Sequence, residues 1–304
     1  MKADSLKISK VFSSGGDVHY ILPYFQREYA WEKDNWKTLL DDVFDIYDIY
    51  NPEQEPEHFM GSLVVINDGT RNGTVPAFKL VDGQQRLITI SLILCALGRL
   101  IRNTHTSITK KISRLLLNPD EGNHLHFKLL PTPKYGDRAA YLALLREEEI
   151  PSVDSKIPIA FEYLQKEIEY KISRDGIDPE RLFLVLTNCL QVVFIDLDQK
   201  ERPYEIFESL NHKGKRLSQA DLVRNYIAMK LPDSKQEEAF EKHWAKIETL
   251  LQERRTVGRS GLGELTAFLR HYLAMRTASL CNEENVYARF PSVSQCVRQL
   301  KPIN

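Results

Sequence analysis

Five consecutive residues, Asp82-Gly83-Gln84-Gln85-Arg86, set a carboxylate, a flexible backbone position, two amides and a guanidinium side by side. Amides and a guanidinium donate hydrogen bonds of the kind that grip phosphate oxygens. Gly83 lets the main chain approach a ligand closely. Asp82 is a candidate to hold a divalent cation through water, or to orient an attacking water. The plainer reading is an Asp-Gly β-turn chosen for backbone geometry, with Arg86 in a salt bridge at the core edge. Residue types alone do not separate the two. No G-x-x-x-x-G-K-[ST] occurs, so a nucleotide site here is not a P-loop.

Two other segments carry similar groups. In Pro23-Tyr24-Phe25-Gln26-Arg27-Glu28-Tyr29-Ala30-Trp31, Gln26 and Arg27 sit among four aromatics. Aromatic faces can stack a base while Arg27 bridges to phosphate. Equally, Tyr24, Phe25, Tyr29 and Trp31 can anchor a packed loop, with Arg27 paired to Glu28 or to an acidic helix. The third segment, Phe207 to Ser218, has Asn211 and Gly214 in helix-ending positions. Its Lys213, Lys215 and Arg216 form a dense basic cluster that can contact nucleic-acid phosphates without reading sequence.

The elements that must place these groups can be read from periodicity. Phe78–Val81 predicts a strand, and Leu87–Leu97 opens a long apolar helix running to about Arg102. A strand turning on Asp-Gly into a helix leaves free N–H groups where the macrodipole favours an anion. Pro23 keeps the aromatic loop extended. A helix from Asp34 carries Leu39, Leu40, Val43, Phe44 and Tyr47 inward and Asp41, Asp42, Asp45 and Asp48 outward. Residues 51–57 read as a loop. A strand runs from Phe59 to Ile66, and Asn67-Asp68-Gly69 with Asn72-Gly73 makes the turn after it. Residues 104–187 read as a helical insertion, interrupted at Pro131-Thr132-Pro133 and Ile150-Pro151. Leu190–Asp198 returns to strand alternation and is expected to rejoin the sheet. Pro203–Leu210 predicts a helix. Another opens at Ser218, which stands at capping-box spacing from Asp221. From about Ser234 helices continue, with a Gly-rich break at Gly258–Gly263. The expected organisation is a core of 1–103 plus 188–230, an insertion at 104–187 and a helical C-terminal region at 231–304.

Composition sets the outer bounds. The 304 residues, 42% hydrophobic and 27% charged, predict a globular chain of roughly two domains. A net charge of −1 excludes nucleic-acid binding driven by whole-chain basicity. The charge is nevertheless uneven: −3 over residues 1–103, −1 over 104–187 and +3 over 188–304. The cysteines (95, 189, 281 and 296) show no C-x-x-C, and Cys95 and Cys189 read as buried thiols, which fits a reducing cytoplasm. There is no apolar stretch of membrane-spanning length and no signal-like start, so neither a secreted nor an embedded chain is expected.

Taken in order, the motifs resemble the bacterial family typified by the GmrS half of GmrSD type IV restriction enzymes, which also includes the N-terminal domain of the phosphorothioate-sensing SspE proteins. The P-x-[YF]-Q-R-x-Y-x-W loop is matched by Pro23 to Trp31, and the Gly-bearing apolar strand by Phe59-Met60-Gly61-Ser62-Leu63. The D-G-Q-Q-R box with its following L-x-T is matched by Asp82 to Thr89. The F-x-x-L-N-x-x-G-x-x-L-S motif is matched by Phe207 to Ser218, with Asp221 after it. The resemblance spans about residues 5–230. It implies an α+β fold like the ParB/sulfiredoxin domain, a small mixed sheet with a helical insertion and a helical C-terminal region. It implies a nucleoside triphosphate site, with Mg2+ as an optional companion. Asp82, Gln84, Gln85 and Arg86 would be catalytic there, with Gln26, Arg27, Gly83 and Asn211 toward the nucleotide. DNA contacts would fall to Tyr24, Gln26, Arg27, Lys213, Lys215 and Arg216. Its implied partners are DNA, modified in family members, and a nuclease domain or subunit; a homo-oligomer is left open. One departure stands out: none of the eight histidines, His124 and His126 included, has a convincing H-N-H setting, so no nuclease motif and no resident metal site are assigned.

Three functions follow as expectations. The first is a triphosphatase regulating an anti-phage, modification-dependent restriction system. The second is a module that binds modified DNA, such as a phosphorothioate, and hydrolyses nothing. The third is a scaffold whose helical C-terminal half docks a nuclease.

Overall fold

The computed structural model describes residues 2–13, 16–23, 26–71, 75–119, 126–197, 218–231, 233–251 and 264–290. The chain divides into two compact units, residues 1–203 and 204–304.

The first unit is built on one mixed sheet of six strands: β1 (Lys2–Lys7), β2 (His19–Ile21), β3 (His58–Arg71), β4 (Val75–Asp82), β5 (Leu129–Leu130) and β6 (Leu190–Leu197). Their order is β1-β6-β3-β4-β2-β5. β6 lies parallel to β3 and antiparallel to β1, and β4 is antiparallel to β3 and parallel to β2. This mixed sheet with its helices is an α+β fold, as expected. The strand at Leu190 does rejoin the sheet, between β1 and β3. The segment read as a helical insertion also carries β5, which pairs in parallel with β2.

β3 runs on past its expected end at Ile66. Asn67-Asp68-Gly69 does not turn the chain; the register with β4 slips between Asn67 and Thr70, and Gly69 takes φ +79°. A β-bulge absorbs the turn-forming residues inside the strand.

Among the described residues, the helices of this unit are α1 (Ile8–Val11), α2 (Lys33–Ile49), α3 (Gln84–Leu100), α4 (Thr106–Leu116), α5 (Asp137–Arg146), α6 (Ile157–Arg174) and α7 (Pro179–Leu184). α3 is central. Every residue from Leu87 to Gly98 is buried. A helix apolar all round needs cover on all sides, and α4 and α6 pack against it. Cys95 lies within this helix, and burial pushes its thiol up to about 11. α2 opens with a reciprocal cap between Glu32 and Asn35.

The second unit contains α8 (Gln219–Lys230), α9 (Asp233–Ala239), α10 (Ala245–Leu251) and α11 (Glu264–Thr277). α8 begins where expected: the Asp221 N–H donates to Ser218 Oγ at 3.1 Å, and the Ser218 N–H donates to Asp221 Oδ2 at 3.1 Å. Arg224, 5% exposed, bonds Asp221 at 2.8 Å and Glu248 at 2.9 Å, tying α8 to α10. The helix expected at Pro203–Leu210, the basic turn after it and the Gly-rich break lie outside the described residues. No described helix is long and apolar enough to cross a membrane.

Candidate functional site

The Asp82–Arg86 segment joins β4 to α3. Gly83 precedes the helix with φ +88°, in the left-handed region. A Cβ there would stand 2.9 Å from the Ser62 carbonyl oxygen and 2.8 Å from Leu63 Cδ1, so the glycine also lets the turn press onto β3. α3 starts with no side-chain cap and no acidic residue in its first turn.

The aromatic loop and this turn lie together, held by a reciprocal pair of glutamines. Gln26 Nε2 donates to the Val81 carbonyl at 2.8 Å and to the Leu80 carbonyl at 3.4 Å. In return, Gln85 Oε1 accepts from the Ala30 N–H at 2.8 Å and the Trp31 N–H at 3.2 Å, and its Nε2 donates to the Glu28 carbonyl at 3.0 Å. Each motif thus contributes an amide that bonds the backbone of the other, and both side chains are buried. Tyr29 adds to the clasp: its hydroxyl lies 2.6 Å from Thr89 Oγ1, and its N–H donates to Asp137 Oδ2 at 2.6 Å. Burial raises the Asp137 carboxyl above its ordinary value, while the Ser155 and Tyr29 hydrogen bonds hold it down.

Arg86 turns toward β3. Its Nη1 donates to the Met60 carbonyl, and Nη2 lies a loose 3.9 Å from Asp82 Oδ2. Burial lowers the guanidinium's pKa and Asp82 raises it, and an arginine so shifted is still a cation. The side chain keeps 24% of its exposure and borders a cavity of about 260 Å3, lined also by Trp31, Asn35, Asp42, His58, Phe59 and Met60. His58 Nε2 stands 3.6 Å from Asp42 Oδ2 in that wall.

The remaining candidates fall into two groups. Gln84 is buried, and its Oε1 finds no hydrogen-bond partner among the described residues. Arg27 is half-buried beside Gln26 and makes no hydrogen bond or ion pair among the described residues. Tyr24, Asn211, Lys213, Lys215 and Arg216 lie outside the described residues. Among the described residues no three His, Cys, Asp or Glu side chains converge.

The model of the GmrSD restriction endonuclease, N-terminal domain, matches residues 8–228. The chain belongs to that family. No curated protein matches it at a significant level. The matched region of this GmrSD N-terminal domain takes in the aromatic loop, the Gly-bearing strand, the Asp82–Arg86 turn and the basic segment, so the chain carries a restriction-system domain.

The aromatic loop and the Asp82–Arg86 turn do lie together, while Gly61, Asp137 and Thr89, which complete the frame around them, are not singled out by the sequence. Gly61 and Thr89 stood inside quoted motifs. Asp137 had no signal, because its partner is a backbone N–H 108 residues away.

Proposed function

We propose that this GmrSD N-terminal domain binds a nucleoside triphosphate against Arg86 and hydrolyses it, as the regulatory step of a modification-dependent restriction system. The observation that carries the reading is the state of Arg86. A mostly buried guanidinium holds one backbone carbonyl and a carboxylate too far away to pair well, and it borders a cavity. Such a cation is stabilised by an anion that brings its own acceptor oxygens. In this reading Arg86 and, from the loop, Arg27 supply the positive charge, and Asp82 orients the attacking water. Gln26 and Gln85 act behind them, keeping loop and turn together. Mg2+ is commonly held by one or two carboxylates plus phosphate oxygens, and Asp82 suits that role. DNA and a nuclease domain or subunit are the partners, with Lys213, Lys215 and Arg216 as phosphate contacts.

Turnover of ATP, GTP, CTP and UTP tests this in the wild type, Asp82→Ala and Arg86→Ala. Turnover in the wild type with loss in both variants is expected. Equal rates in all three proteins remove both residues from catalysis.

One observation favours a second reading. With two amides occupied by backbone, few donors remain for a triphosphate, and a single DNA phosphate or phosphorothioate needs fewer. Gel-shift affinity for modified against plain duplex without nucleotide, at fixed salt, separates the two. A preference for modified DNA with no turnover selects the second.

A further inference from the structure

An arginine side chain has many rotamers, and something must select the one that Arg86 adopts. That selection comes from β3, not from the turn that carries Arg86. Phe59 pairs with Gln191 and Ser62 with Val193, so β3 has one residue more than β6 in this stretch. The extra residue of such a bulge leaves the ladder. Here the Met60 carbonyl accepts from Arg86 Nη1. The next residue, Gly61, has φ +106°. A Cβ built on it would overlap Nη1 outright and stand 3.0 Å from Cζ and 3.4 Å from Nη2. The guanidinium therefore rests on bare backbone, and any side chain at 61 would occupy its seat.

We infer that Gly61 is the positioning residue for Arg86: the Met60–Gly61 bulge supplies both the acceptor and the empty space that fix the guanidinium at the cavity wall. The inference deepens the reading of Arg86 as the anion-facing group, and only its ligand readout rests on that reading. Gly61 does not itself line the cavity.

The test is a double-mutant cycle on the full chain with Gly61→Ala, Arg86→Ala and the pair, read by thermal midpoint and by binding of fluorescent analogues of the four triphosphates. Alanine at φ +106° is strained with or without Arg86, so strain alone lowers the midpoint equally in both backgrounds. The overlap adds a loss only where Arg86 is present. The expected result is a midpoint drop larger by about 2–4 °C in the Arg86 background than in the Arg86→Ala background, the worth of the displaced guanidinium's contact. Triphosphate binding should weaken roughly tenfold or more in either single variant, with no further loss in the double. Equal midpoint drops, or wild-type ligand affinity in Gly61→Ala, overturn the inference. A coupled midpoint in a protein that binds no triphosphate supports the positioning role and overturns the nucleotide reading instead. If Gly61→Ala is insoluble, recovery of soluble protein on adding Arg86→Ala supports the inference, and failure to recover overturns it.

Discussion

At the scale of single residues, the site turns on how each polar group is spent. Gln85 satisfies three backbone groups of the aromatic loop, and Gln26 satisfies carbonyls at the end of β4. Orphaning a buried backbone group costs about 1–3 kcal/mol. Gln85→Met, close in shape but unable to bond, is expected to destabilise the first unit by about 3 kcal/mol, as read by urea unfolding. Arg86→Ala behaves differently: it should cost less, about 1 kcal/mol, since its partners are one carbonyl and a distant carboxylate, while it removes the anion contact. A Gln85 variant that folds as stably as wild type would show that the clasp is not structural. These roles were not legible in the sequence. An amide presents the same donor to a phosphate and to a backbone carbonyl, and residue types at 84–86 therefore support a ligand grip and a structural clasp alike. The nearness of the two motifs was legible through the resemblance; the direction in which each amide points required the fold.

Elements decide that direction. α5 contributes Asp137, which receives the Tyr29 N–H and the Ser155 hydroxyl and so ties the loop to this helix. Asp137→Ala is expected to cost about 2 kcal/mol and to speed proteolysis between Gln26 and Trp31, the measure of a loop released from its frame. Farther along the sheet, the Lys128 ammonium, 3% exposed, donates to the Phe12 carbonyl at 2.8 Å. Burial lowers its pKa below the ordinary lysine value, with Asp17 opposing. The unfolded chain then binds more protons between the folded pKa and about 10.4, so stability rises with pH across that window. Below it the cost of the buried charge is fully present. Urea midpoints should therefore climb from pH 8 to pH 10 more in wild type than in Lys128→Met; parallel curves would contradict the assignment. Elements with strong periodicity (α2, α3, β3, β4 and β6) could be read in advance. β1, β2 and β5 could not: they are short or polar, and each is a strand only because a distant partner completes its ladder.

On the scale of the whole molecule, the sheet interleaves distant segments. β6, from the far end of the first unit, lies against β3 and holds the bulge on which Arg86 rests. The second unit has its own buried charge network at Arg224. Losing its two charge-assisted bonds to partly exposed carboxylates should cost about 1.5–3 kcal/mol, so Arg224→Ala is expected to unfold the second unit at lower denaturant while the near-ultraviolet signal of the first persists. Loss of both together would show one cooperative body. The central claim, that a guanidinium placed by β3 at the start of α3 faces an anion, is tested most directly by equilibrium binding of triphosphates to wild type and Arg86→Ala with matched circular dichroism spectra. The account predicts binding by wild type and roughly tenfold or greater weakening in the variant. Equal affinity in the two proteins would contradict it.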